Sequence, residues 1–234
     1  MHLSDGVIGN QASLTFIGMS GVFAFWAIKQ VKSRLFEKIK VLAPQLATEF
    51  GSSSAPKISS RLQVRPQAKK IIPKLVMVFS LVYAVQLFDF PIINGVSGHL
   101  IGAALAGIVL GPALGALTVA AVLAVQAIFL GDGGLLALGA NIFNMAVVGS
   151  AGGYYFFILA KKYLPNYASI FFAAFFSVIF SALAFGLIMF ISRQIIISQL
   201  FSEILWPHAI IGLIEGLLTV VVIKFILTTN SYKS

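Results

Sequence analysis

Three histidines carry the richest ligand chemistry in this sequence: His2, His99 and His208. Imidazole is the commonest side-chain metal ligand. The chain has no cysteine, so a disulfide framework and a thiolate metal site are both excluded. The opening dipeptide Met1-His2 adds donors that no side chain supplies. A free α-amine, the amide nitrogen of His2 and its imidazole Nδ1 can chelate one metal, provided the amide loses its proton, and a strongly binding divalent ion can drive that loss. The bulk of His2 disfavours removal of Met1 and keeps the amine in register. Three nitrogens in a plane leave one corner, which a distant histidine would close. Square-planar nitrogen ligation suits Ni(II) or Cu(II) rather than Mg2+ or Ca2+, and low-spin Co(II) also adopts it.

Other polar residues stand out against an apolar background. Glu215 lies inside an apolar stretch, where an ionisable group is costly and often functional. It follows His208 by two helical turns on the same face. It serves either a polar network beneath a metal site or a packing bond between helices. Asp132 sits in the glycine-rich run Gly131-Asp132-Gly133-Gly134. It is either a turn residue or the carboxylate that orients a ligand histidine through that ring's free nitrogen. Asn141 and Asn144, three apart, either fix the neighbouring loop or bond between helices.

The elements that position these residues are read from composition. Hydrophobic residues make up 59% of the chain and charged residues 10%, against about 25% charged in a soluble domain; the mean hydropathy is +0.99. A water-soluble enzyme, a disordered chain and a nucleic-acid-binding domain are excluded. A bilayer crossing needs about 20 apolar residues. Candidate spans are Val7–Ile28, a stretch over Leu75–Phe88 extended by Ile71 and Ile72 past Pro73, Leu135–Ala160, Ile170–Ser192 and Ile204–Ile223. The uncharged run Leu100–Leu130 would be about 46 Å long as one helix, and Gly111-Pro112 breaks it. It is therefore predicted to form two helices, Gly98–Leu110 and Ala113–Leu130. The expected fold is an all-α, polytopic membrane bundle of about seven transmembrane helices, with residues 1–234 forming one membrane domain.

Basic residues set the orientation. Eleven of the sixteen Lys and Arg lie between Lys29 and Lys74; Lys161, Lys162, Lys224 and Lys233 fall on the same side, and Arg193 alone on the other. This predicts an external N-terminus, a cytoplasmic C-terminus and all three histidines on the external side. Because no positive charge precedes the first apolar stretch, it does not have the pattern of a signal peptide. Residues 33–70 form a polar cytoplasmic loop containing the linker-like Gly51–Pro56. Within it, Leu35, Phe36, Ile39, Leu42 and Leu46 recur at helical spacing among basic residues. That pattern fits an interfacial helix on anionic lipid, though a solvated, positive-inside loop is the favoured reading. Gly98, Gly102 and Ala106, and also Gly107, Gly111 and Gly115, recur at the spacing that lets membrane helices approach closely.

The sequence resembles the CbiM/NikM family, the substrate-binding S components of energy-coupling-factor (ECF) cobalt and nickel transporters. The resemblance rests on Met1-His2-Leu3-Ser4-Asp5-Gly6, on Ser97-Gly98-His99-Leu100-Ile101-Gly102-Ala103 followed by Leu110-Gly111-Pro112, on the block from Gln126 to Ala146, and on His208 to Leu217. It implies a seven-helix component in a prokaryotic cell membrane, with metal held by the Met1 amine, the His2 amide and imidazole nitrogens, and the His99 imidazole. His208, Asp132, Asn141 and Glu215 are expected in the surrounding shell. The Ser4-Asp5-Gly6 continuation leans toward the nickel members. The insert at 33–70 departs from the family pattern.

The function expected is capture of Ni2+ or Co2+ as cargo, without a catalytic cofactor and without enzymatic activity. The chain has no Gly-Lys dipeptide and hence no P-loop of the usual form. The resemblance therefore implies partners: a transmembrane coupling subunit, separate ATPase subunits and a small accessory membrane subunit. No nucleic acid is expected. The alternatives are an autonomous carrier or channel for divalent metal, and an S component for a vitamin.

Overall fold

The computed structural model describes residues 1–42, 58–93 and 96–231. Its helices run in seven segments. α1 is Asn10–Leu35, α2 Pro66–Gln86 and α3 Ala103–Leu110. α4 is Pro112–Leu130, α5 Leu138–Ala160 and α6 Asn166–Ile191. α7 starts at Ile197 and runs through a π-helical turn, Leu200–Leu205, into Trp206–Ser231. Two antiparallel strand pairs complete the described fold: β1 (Phe36–Leu42) with β2 (Ile58–Val64), and β3 (Asp89–Ile93) with β4 (Val96–His99).

Among the described residues five segments are long and apolar enough to cross a membrane alone, namely α1, α4, α5, α6 and α7. The other two differ for physical reasons. α2 carries Lys69, Lys70 and Lys74 near its start, and it continues through Pro73 as the sequence predicted. α3 has eight residues, about 12 Å of helix, so it crosses only part of a bilayer. It turns into α4 at Gly111, whose φ of +84° favours glycine, and Pro112 opens α4.

The small residues work inside the bundle. A Cβ at Gly115 would lie 2.6 Å from the backbone C and O of Ala106 and 2.7 Å from the Gly107 amide. α3 and α4 can touch only because that atom is missing. Gly107 likewise faces the Ser150 backbone of α5, and Gly212 and Gly216 admit Phe175 and Phe171 from α6. The core between these helices holds Ala103, Ala106, Val119, Val122, Met145, Val178, Phe185 and Ile204. Large apolar side chains that remain exposed, such as Phe25, Phe129, Trp206 and Phe225, form the outer surface, as expected where the solvent is lipid.

Three expectations need correction. The third helix does not begin at Gly98. Gly98 and His99 belong to β4, His99 pairs with Asp89, and helix starts only at Ala103, after Gly102 at φ +67°. Side-chain acceptors hold the backbone ahead of α3 in a non-helical form. His208 does not open the seventh helix, because α7 begins at Ile197 and His208 lies within it. The pattern over Leu35–Leu46, read as a solvated loop in preference to an interfacial helix, forms strand at Phe36–Leu42, while Leu46 lies outside the described residues. There Phe36, Ile39 and Val41 favour β structure and find a partner in β2, with Phe36 opposite Val64 and Leu42 opposite Ile58. The linker at Gly51–Pro56 lies outside the described residues.

Replacing Gly115 by alanine is expected to cost about 1–3 kcal/mol through overpacking against fixed backbone. This would be read as a lower unfolding midpoint in detergent. Gly21→Ala, where no atom lies within 4 Å of the added Cβ, should not lower the midpoint, since alanine is the better helix former.

Candidate metal centre

The N-terminal residues are threaded into the bundle and tied there by main-chain and amide hydrogen bonds. Met1 and Leu3 are fully buried, and His2 nearly so. Asn141, at the top of α5, reads Leu3 in both directions. The Leu3 amide donates to Asn141 Oδ1 at 2.8 Å, and Asn141 Nδ2 donates to the Leu3 carbonyl at 3.1 Å. The same carbonyl accepts from the Gly134 amide at 2.9 Å. Asp5 accepts from the amides of Leu135 (3.1 Å), Leu136 (2.8 Å) and Ala137 (3.0 Å). It thereby satisfies donors at the start of α5, where a negative charge is favoured. A Cβ at Gly134 would overlap Asp5, and one at Gly133 (φ +79°) would press on His2 and Asn141. The glycine run is thus shaped to admit the N-terminal strap.

His99 approaches from the other side. Its Nδ1–H donates to the Leu100 carbonyl at 2.9 Å, which leaves the lone pair on Nε2. That Nε2 is buried without a hydrogen-bond partner among the described residues. The His99 and His2 rings lie 4.7 Å apart, centroid to centroid. Burial, with the N-terminal amine, His2 and His208 nearby, holds the His99 pKa well below the ordinary imidazole value, against the Leu100 hydrogen bond. His99 is therefore neutral at physiological pH, the state a metal requires.

The strand end carrying His99 is anchored from α7. Glu215, buried, accepts the Ile101 amide on Oε2 at 2.6 Å and the Gly102 amide on Oε1 at 2.9 Å. Gln86 Nε2 donates to the Ile101 carbonyl at 2.7 Å. Two turns toward the site on the same helix, His208 Nδ1–H donates to the Ile204 carbonyl at 2.7 Å, again leaving a buried Nε2 without a hydrogen-bond partner among the described residues. Asn144, one turn below Asn141, is fully buried, and its carbonyl accepts from Ser181 Oγ at 3.1 Å.

Asp132 does touch His2, but through Nδ1 at 2.6 Å, not through the nitrogen that chelation would leave free. Burial raises the Asp132 pKa, yet the hydrogen bond and charge of His2, with the charge of the N-terminal amine, outweigh it and hold the carboxyl below its ordinary value. Among the described residues no three His, Asp or Glu side chains are grouped closely enough to hold a metal ion.

The structure brings together Met1, His2, His99, Asp132 and Asn141, and it ties Glu215 to the backbone beside His99. Sequence reasoning missed Asp5 and Gln86. Asp5 carried a signal in type only, since an aspartate is a good helix cap, but the helix it serves is 130 residues away.

Comparison with known proteins agrees with this architecture. Residues 42–231 match the model of the CbiM family, described as the cobalt uptake substrate-specific transmembrane region. A protein of Archaeoglobus fulgidus named as a fused nickel transport protein, NikMN, is 36% identical over 170 residues, covering 69% of this chain and 55% of that protein. One of Haloquadratum walsbyi named as a metal transport protein is 38% identical over 156 residues, covering 66% of this chain and 71% of that one. The chain thus spans about half the length of the first relative. A solved structure titled as a truncated transition metal transporter shares the fold with TM-score 0.78, at 21% identity and with 98% of this chain and 99% of that chain covered. The chain belongs to the CbiM family and is a multi-pass membrane protein.

Glu215→Gln replaces one acceptor oxygen by an NH2 group that faces a backbone N–H. It is expected to weaken Ni2+ or Co2+ binding about 10–100-fold, the usual effect of losing a group that orients a ligand. Titration calorimetry would measure this.

Proposed function

We propose that this member of the CbiM family captures Ni2+ or Co2+ from the external side at a four-nitrogen site. The site comprises the Met1 amine, the His2 amide nitrogen, His2 Nδ1 and His99 Nε2. The observation that carries the reading is the burial of Met1 and His2 beside the unpartnered Nε2 of His99.

Capture follows from these groups. His99 is held neutral with its lone pair on Nε2, so no proton has to leave it. His2 Nδ1 faces Asp132 and must turn from the carboxylate to the metal; Asp132 then remains as a negative charge beside the cation. The amide of His2 loses its proton, so bound M2+ carries a net single positive charge within the chelate. Asn141 and Asp5 hold the strap against the withdrawal that thermal motion would otherwise produce. The planar four-nitrogen set accepts Ni(II) and low-spin Co(II) and rejects the oxygen-seeking Mg2+ and Ca2+.

Delivery across the membrane is proposed to depend on partners of the ECF type. These are a transmembrane coupling subunit and ATPase subunits, with a small accessory membrane subunit. The family is one of metal transport, so the vitamin alternative is not retained. An autonomous carrier would require a polar path to the cytoplasmic side. On that side α7 packs in a hydrophobic cluster of Leu105, Phe157, Ile170, Ala173 and Ile223.

One residue added before Met1 turns the amine into an internal amide and shifts the chelate ring. Tight Ni2+ binding is expected to be lost while the fold persists; full-affinity binding by the extended protein would refute the site. His99→Ala should cost far more affinity than His208→Ala, for which about 10–100-fold is expected. Parallel titrations of the two variants with Ni2+ and Co2+ check this order and show which metal the site prefers.

A further inference from the structure

An open, apolar groove of about 320 Å3 lies at the end of the bundle opposite the metal centre. It is lined by Ile28, Val31 and Lys32 from the last turns of α1, Phe36 at the start of β1, and Leu117 of α4. Four of these five side chains are hydrocarbon or aromatic, and the Lys32 ammonium is the one charged group among them. More cations flank it. Lys29 and Arg34 share the end of α1, and the Arg34 guanidinium stands 3.1 Å from where a Cβ at Gly111 would lie, at the α3–α4 turn. Arg65, at the far end of β2, stands 3.9 Å from Glu37. That pair is exposed and does not neutralise the rim.

We propose that this groove is a binding site for an anionic glycerophospholipid of the inner leaflet, with an acyl chain along Ile28, Val31, Phe36 and Leu117 and the phosphate on Lys32. Charge complementarity favours that occupant. An apolar slot lined in part by a lysine stem, at a helix end that also carries Lys29 and Arg34, matches a molecule that is hydrocarbon at one end and anionic at the other. Lysine stems lie along apolar surface and hold their charge at the headgroup level. The site stands apart from the metal centre, so it does not rest on the metal reading.

The test is native mass spectrometry of the purified full chain with phosphatidylglycerol, with phosphatidylcholine of the same acyl chains, and with glycerol phosphate as the headgroup alone. Phosphatidylglycerol should be retained over phosphatidylcholine, and glycerol phosphate should not bind. Lys32→Gln should lower phosphatidylglycerol retention about fivefold, the weight of one cation near an anionic membrane surface. Val31→Trp, which fills the slot, should lower retention of both lipids. Lys162→Gln, an inner-side cation away from the groove, should change nothing. Size-exclusion elution and the unfolding midpoint would show that each variant is folded. Equal retention of the two lipids, equal losses from Lys32→Gln and Lys162→Gln, undiminished retention by Val31→Trp, or binding of glycerol phosphate as tight as that of the lipid would each overturn the proposal.

Discussion

A buried carboxylate holding two consecutive backbone N–H groups is the interaction on which the rest of this structure depends. Glu215 reaches from α7 to Ile101 and Gly102, three residues of chain from the His99 imidazole at most. In a bilayer every backbone polar group must find a partner inside the protein. The segment between β4 and α3 is not helical, so it cannot satisfy its own amides. Glu215 accepts from its N–H groups and Gln86 donates to its Ile101 carbonyl. Because both side chains are fixed on helices, the direction in which His99 leaves the backbone is fixed as well.

The same constraint governs the N-terminal strap. Residues 1–8 have no regular structure, yet three of the first three are buried. Their polar groups are met by Asn141, by the Gly134 amide, and by the start of α5 through Asp5. Glycines 133 and 134 are as much part of the arrangement as the side chains, since any Cβ there would occupy the space of His2 or Asp5. The fold therefore offers two independently tethered arms, the strap and the β4 end, whose imidazoles meet 4.7 Å apart.

Much of the membrane architecture was legible in the sequence. Hydropathy located α1, α4, α5, α6 and α7 to within several residues, and Gly111-Pro112 marked the turn that divides the long apolar run. The ends were harder. Hydropathy does not distinguish a strand from a helix in Val96–His99, because both bury apolar residues; this strand is held by pairing with Asp89–Ile93, and the acceptor for the non-helical amides that follow it, Glu215, lies over a hundred positions away. The start of α7 was missed because Glu203 interrupts the hydropathy while the helix itself continues. The histidines, Asp132, Asn141 and Glu215 were identifiable by type as polar groups in apolar surroundings. Their partners were not, since a carboxylate that caps a helix 130 residues away leaves no local pattern. Asp5 shows this most plainly.

The central claim is that main-chain nitrogen, deprotonated, binds the metal. It is tested most directly by counting the protons released when Ni2+ binds at near-neutral pH, using calorimetry in buffers of different ionisation enthalpy. The buried, neutral His99 has almost no proton to give, the N-terminal amine (about 8 unperturbed) is largely protonated, and the His2 amide must ionise. The account predicts a release of about two protons per metal ion from the amine and amide, with a further fraction from the histidines. A release near zero would contradict it, and would mean that neither the amine nor the amide is a ligand.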